Sequence, residues 1–366
     1  MMGTMAAETT TGNGEIQCKL QRHQAFWARH NSEPLLGFSI GDYFVSKRFR
    51  AAARLLGEKR KIEPEMIDVG SFRNDYLRMF EESGKVTQDA IFTAAPFTGL
   101  PWIEAIMGCP VFSTESSFVA RKPADGSGDI DYDRPENPAW KLKYLEFIEM
   151  LVSLEPGLPV GQPILRGPTD AVGTLLGQDT LIYELFDNPQ RVERLLERAS
   201  ATFLGLIEEQ ERRVKRFYNG SALGFYDLWC PGSSLWFQDD LTSLLSPALY
   251  ERHILPIHRR LSKARKYNLF HLHPSSFYMI DLLMELEDLR LIEINRDEGG
   301  PSVQEMLPVI RRVLAGKNCL LWGHFEAGEL KALFQECDPA GLGVIAVVDN
   351  PEEAQAMYSS LRELRR

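Results

Sequence analysis

From residue 35 to the C-terminus, short apolar runs alternate with long amphipathic segments, and this alternation narrows the possible folds more than any other feature. The strand candidates are Leu35–Ile40, Ala90–Ala95, Pro110–Thr114, Gly161–Leu165, Leu223–Leu228, Leu269–His273, Leu289–Ile294, Cys319–Trp322 and Gly343–Val348. Several are short and rich in Val, Ile or Phe, as strands buried on both faces are. The helices between them are well signalled. Asn188-Pro189 caps one expected to run to Tyr218 and stop at Asn219-Gly220. Ser246-Pro247 opens another, which Pro256 bends or ends. Ser302-Val-Gln-Glu305 is a capping box, and Asn350-Pro351-Glu-Glu353 caps the last helix. A β-then-α order repeated to the end argues a parallel sheet under covering helices. About eight such units in roughly 330 residues predict an α/β fold of the (β/α)8 TIM-barrel type, with extra helices at the N-terminus. No glycine-rich GxGxxG or GxxxxGK follows a strand, which weighs against a nucleotide-binding open sheet.

The first residues are polar and rich in Thr and Gly, so 1–15 are expected to be disordered and 16–366 to form one barrel domain. No internal repeat or linker divides them. The segment Arg121–Pro138, rich in Asp, Gly and Pro, reads as a long loop or lid on the active-site face. A net charge of −10 gives no global attraction to nucleic acid or an anionic membrane. No run of 18 apolar residues suggests a membrane span. Five scattered cysteines without a CxxC argue against a disulfide framework and fit a reducing cytoplasm.

In a barrel, chemistry gathers where strands end. Those positions hold Phe97 and Trp102, then Arg166 and Asp170, Asp227 and Trp229, His271 and His273, Glu293, Asn295 and Asp297, Trp322 and His324. His271 and His273 are the most informative. At i and i+2 of a strand both imidazoles leave the same face, where they can bind a metal, hold an anion or move a proton. Glu293 joins them if Ile292 and Ile294 point outward. Together they make a two-nitrogen, one-oxygen set for zinc with an open fourth position, His324 being a substitute ligand, a partner or a helix cap. Asp170 reads either as a substrate contact or as a partner of its helix start. The aromatics Phe97, Trp102, Trp229 and Trp322, with Asn295, suit a planar or methyl-bearing ligand, though each also reads as ordinary packing.

Three ordered motif groups then add a resemblance: Gly99-Leu-Pro-Trp-Ile-Glu-Ala-Ile-Met-Gly-Cys-Pro110, Gly167-Pro-Thr-Asp-Ala171 with Leu185-Phe-Asp-Asn-Pro189, and Leu245-Ser-Pro-Ala-Leu-Tyr-Glu-Arg-His-Ile-Leu-Pro256. In this order the chain, from about residue 20 to 366, resembles the uroporphyrinogen decarboxylase superfamily, which also holds corrinoid and coenzyme M methyltransferases. The resemblance implies a uroporphyrinogen decarboxylase-like barrel with its site at the C-terminal strand ends. The early loop Gly37–Phe44 lacks the arginines, and Phe92–Pro96 the aspartate, that the family's decarboxylases use on a tetrapyrrole. The methyltransferase pattern is His-x-Cys with a second Cys on the last strand; here His271 matches, the second position is His273, and Gly341–Val348 has no Cys.

The leading expectation is a methyltransferase or demethylase acting on a small methylated, aromatic or methoxy substrate. Zinc would serve as Lewis acid and a separate corrinoid protein would dock at the barrel mouth. The alternative is a metal-independent decarboxylase of an aromatic or tetrapyrrole-type acid, with catalytic roles among His271, His273 and Asp227 and with Arg166 holding a carboxylate. A site with no bound group fits the sequence equally well, and a ligand-binding barrel without catalysis is a third option. Homodimerisation is compatible with all three.

Overall fold

The computed structural model describes residues 5–57, 59–124, 134–155 and 157–362. Its centre is a curled sheet of six parallel strands, numbered in chain order β1 (Leu35–Ile40), β2 (Ser234–Phe237), β3 (Tyr267–Leu272), β4 (Leu291–Arg296), β5 (Asn318–Gly323) and β6 (Leu342–Val348), with spatial order β1-β6-β5-β4-β3-β2. Side chains alternate between two apolar layers. Phe38, Phe270, Leu272, Ile292, Ile294, Cys319, Leu321 and Val344 face the covering helices. Leu269, Leu291, Leu320, Trp322, Ile345 and Val347 face the other way, into the curl of the sheet.

Between β1 and β2, two extended segments lack regular strand pairing and share a single parallel bridge, Ala94 to Val160. Side chains take over the ladder there. Asp89 accepts from Leu36 N at 2.9 Å, Gln88 accepts from Phe38 N at 2.8 Å, and the Gln162 amide both accepts from Trp236 N at 3.0 Å and donates to Trp236 O at 2.6 Å. The expected strands Ala90–Ala95 and Gly161–Leu165 are therefore corrected to bridged extended segments, in which Pro96, Pro159 and Pro163 cannot donate to a ladder. Pro110–Thr114 is also corrected: Val111–Ser113 belongs to a separate antiparallel sheet with Lys61–Ile62 and Phe118–Ala120.

The largest departure is Leu223–Leu228. It is a hairpin, Ser221–Leu223 against Leu228–Cys230, and the strand that precedes β3 is Ser234–Phe237 instead. The hairpin's Leu223, Tyr226, Leu228 and Cys230 enter the curl of the sheet and pack with Phe26 and Trp27 against Leu269, Leu291 and Leu320. Hydrogen bonds hold it there. Asp227, at φ +50°, accepts from Thr93 N at 2.8 Å through its carboxylate and from Ile91 N at 2.9 Å through its carbonyl. The helix Met5–Trp27 clamps the other side: Trp27 Nε1 donates to Trp229 O at 2.9 Å, and His23 accepts from Trp229 N at 3.0 Å. Contact is close enough that a Cβ on Gly161 would meet Ala222 O at 2.4 Å.

The capping signals at Ser246, Ser302 and Asn350 all form. The helix after Asn188 ends at Arg213, short of Tyr218, because Val214 turns extended. Of the stretch expected to be disordered, residues 5–15 are the start of the helix Met5–Trp27, and residues 1–4 lie outside the described residues. So do residues 125–133 of the Arg121–Pro138 loop. All five cysteines are unpaired, and no described helix is long and apolar enough to cross a membrane.

Filling the curl with the hairpin should carry much of the stability. Leu228→Ala is expected to cost about 2–5 kcal/mol in urea unfolding. Leu142→Ala, at a 66% exposed position, should stay within about 0.5 kcal/mol. Equal effects would remove the hairpin from the core.

Candidate active site

At the C-terminal strand ends lies a cavity of about 250 Å³. Its polar lining includes Arg166, Gln238, Asp240, His271, His273 and Asn295, with Tyr43, Tyr226 and several Ser and Thr residues. Its apolar lining includes Phe44, Phe118, Phe225, Trp236 and Trp322. Phe225 and Tyr226 come from the hairpin tip, so the plug of the sheet is also the wall of the cavity.

The register of β3 against β4 puts His271 opposite Glu293. Glu293 is fully buried, and its Oε2 meets His271 Nδ1 in a short hydrogen bond while accepting from the Tyr226 hydroxyl at 3.0 Å. Its Oε1 has no donor. Two residues on, His273 Nδ1 meets Asp297 Oδ1 at 2.6 Å, and Asn295 Nδ2 donates to the same oxygen at 2.5 Å. An ionised carboxylate only accepts, so each imidazole carries its proton on Nδ1. Both Nε2 lone pairs are thereby turned to one another, 3.1 Å apart. Two acceptors at that distance repel unless a proton or a cation lies between them.

Asp240 completes the group. Its Oδ1 lies 3.8 Å from His273 Nε2 and 4.0 Å from His271 Nε2, and its Oδ2 accepts from Gln238 at 3.0 Å. Among the described residues Asp240, His271 and His273 form a cluster with metal-ligand geometry. Two nitrogens bound to one zinc at 2.0–2.1 Å stand about 3.4 Å apart in a tetrahedron, close to the separation here. Each donor is oriented by a further group: Gln238 for Asp240, Glu293 for His271, Asp297 for His273, the pattern of metal-ligating histidines backed by carboxylates. The residues therefore fit a divalent cation. Glu293, the carboxylate expected among the ligands, is engaged at Nδ1 behind His271 and lies outside this cluster, in which Asp240 is the carboxylate beside the two Nε2 atoms.

The other expected residues divide. Arg166, Trp322 and Asn295 line the cavity with the histidines. His324 lies outside the cluster and stacks on Tyr43 at 5.6 Å. Phe97 and Trp102 are fully buried, the indole donating to Phe97 O, and both pack in the layer beneath the helices. Trp229 packs on Leu20 and Ile91 beside the N-terminal helix. Asp170 is buried and accepts from Leu241 N at 2.8 Å and Asp240 N at 3.2 Å, so it positions the Asp240 backbone from behind the cavity lining. Asp227 ties the hairpin to Ile91 and Thr93, and burial pushes its carboxyl up to about 7 against the pull of the Thr93 N–H and Arg48; its assigned catalytic role becomes a structural one. Asp240, Gln238 and Tyr226 were missed. The apolar run Leu235-Trp-Phe237 followed by Gln-Asp-Asp240 carried the same strand-end signal as the histidine segment, but its three residues fell just past the Cys-Pro-Gly-Ser-Ser turn.

The fold is similar to that of a methyltransferase from Methanosarcina mazei, with a TM-score of 0.60 over 94% of this chain and 98% of that one, at 12% identity. No family model matches the sequence. No curated protein matches it either.

Burial alone would disfavour the His271 imidazolium, but the charge and hydrogen bond of Glu293, with Asp240 and Asp297 behind them, override it and push His271 up to about 9. In metal-free protein the resulting stabilisation is full below the ordinary histidine value of 6.5 and is lost as pH rises through about 9. Glu293→Gln should therefore lower the His271 titration by at least ~1 unit, read by NMR of the labelled imidazole. A titration left in place would show that Glu293 does not set it.

Proposed function

We propose that this chain is a metal-dependent transferase of the methyltransferase type, a closed (β/α)8 barrel related to the uroporphyrinogen decarboxylase superfamily. In this reading the bridged segments 88–95 and 159–165 complete the cylinder between β1 and β2. The observation that carries the functional reading is the pair of Nε2 atoms facing one another at 3.1 Å with Asp240 beside them and every Nδ1 proton already spent on a carboxylate. The fold's likeness to a methyltransferase supports the reaction type.

Asp240, His271 and His273 would hold the ion. Zinc bound there would supply a Lewis acid for the substrate or acceptor atom that takes the open position. The chain's own residues then have separate tasks. Glu293 and Asp297 fix the imidazole rings and keep their Nδ1 atoms protonated. Gln238 holds one Asp240 oxygen so that the other faces the histidines. The Tyr226 hydroxyl compensates the buried Glu293 carboxylate. Phe225, Trp236 and Trp322 exclude water and present flat apolar faces to a small methylated substrate. The cavity opens at the C-terminal strand ends, where a corrinoid protein would dock to exchange the methyl group.

The expected metal content is about one zinc per chain by elemental analysis after gentle purification, with His273→Ala and Asp240→Asn losing it. Glu293→Gln should keep the ligands but weaken zinc about 10- to 100-fold. Protein that stays metal-free when refolded with zinc, yet releases CO2 from an aromatic acid, would replace this reading with the metal-independent decarboxylase, His271 then serving as proton donor.

A further inference from the structure

Among the described residues Arg166 is the one guanidinium on the cavity wall, and it is under-used there. It leaves the segment 159–165, and its side chain stays 46% accessible in a cavity whose other walls mix aromatic and polar groups. Among the described residues its only charged contact is Glu104, Nε to Oε1 at 3.6 Å, and it donates no hydrogen bond. A guanidinium presents five donors in a planar fork, matched to a carboxylate. With no protein acceptor on them, these donors are open to an acceptor that enters the cavity.

Glu104 is not that acceptor. It is 1% exposed, and neither of its oxygens accepts a hydrogen bond. Burial pushes its carboxyl up, against the pull of Arg166. Asp240 lies close enough for its charge to act on both Arg166 and His271, and these three line one cavity with His273.

The surroundings also limit the ligand's charge. Glu104, Asp170 and Asp240 all act on Arg166. One guanidinium with acidic neighbours suits a single negative charge and repels a dianion such as phosphate. The Phe225 ring lies 5.0 Å from Trp322 and 5.9 Å from Trp236, centre to centre, at interplanar angles of 37° and 24°, so the three form one aromatic cluster on the cavity wall.

We propose that the cavity takes a small monocarboxylate with a flat apolar body, its carboxylate held in the fork of Arg166 and its opposite end presented to His271, His273 and Asp240. This rests on the methyl-transfer reading only for the opposite end, which would carry the methyl group; the anion subsite stands on Arg166 and its place on the cavity wall.

Calorimetric titration with 4-methoxybenzoate and 4-methoxybenzamide tests it, since the two share one flat body and differ in charge. The wild-type chain should bind the benzoate at least about tenfold tighter than the amide. Arg166→Met should abolish that preference with zinc content unchanged, and Arg166→Lys, which keeps the charge but not the fork, should fall between. Wild-type thermal melting of either variant keeps the result interpretable should the other not fold. His273→Ala, depleted of zinc, should retain the carboxylate preference, so loss of metal and loss of the anion subsite are read separately. Equal binding of acid and amide, no saturable binding of the benzoate, or a preference that survives Arg166→Met would each overturn the proposal.

Discussion

A carboxylate buried inside a parallel sheet must be neutralised, and the rest of the site follows from how Glu293 achieves it. Desolvating an ionised carboxylate costs several kcal/mol unless it is paired and hydrogen-bonded. Glu293 is fully buried with one oxygen unserved, so the burden falls on Oε2, shared by His271 and Tyr226. That contact spends the His271 Nδ1 proton, turns Nε2 toward the cavity and favours positive charge there. The same logic repeats one step along, where Asp297 orients His273 and is itself held by Asn295. Both imidazoles end with Nε2 converging on one point beside Asp240, where a proton or a cation fits between them.

The hairpin Ser221–Cys230 makes this possible from below. Parallel strands leave an inner face that side chains must fill. Here the lower part is filled by Leu223, Leu228, Cys230, Phe26 and Trp27, and the upper part is left open over Phe225 and Tyr226. One hairpin thus packs the interior with its strands and shapes the cavity with its tip. Asp227 and the N-terminal helix lock it at the edge where the regular ladder lapses, so the least regular part of the sheet is also the most cross-linked by side chains.

Much of the scaffold was legible because parallel strands buried on both faces read as short apolar runs. Five of the six sheet strands stand where such runs predicted them, and Glu293 points inward as Ile292 and Ile294 required. The failures share a cause. Phe97, Trp102 and Trp229 have the residue types of a ligand wall, yet burial sent them to packing layers, and a linear string cannot tell the two fates apart. Leu223–Leu228 has a strand's composition but turns back on itself at Asp227, in a left-handed conformation that its neighbours enforce.

What the chain's order alone determined was the alternation of strand and helix and the placing of His271 and His273 on one face, because a period of two is a local property of extended backbone. Which carboxylate would stand behind the histidines and which beside them was decided by tertiary structure. Glu293 lies across the ladder by register, whereas Asp240, about thirty residues before the pair, arrives through strand order in the sheet. Register and strand order are set by packing over the whole sheet, so no short stretch of sequence contains them.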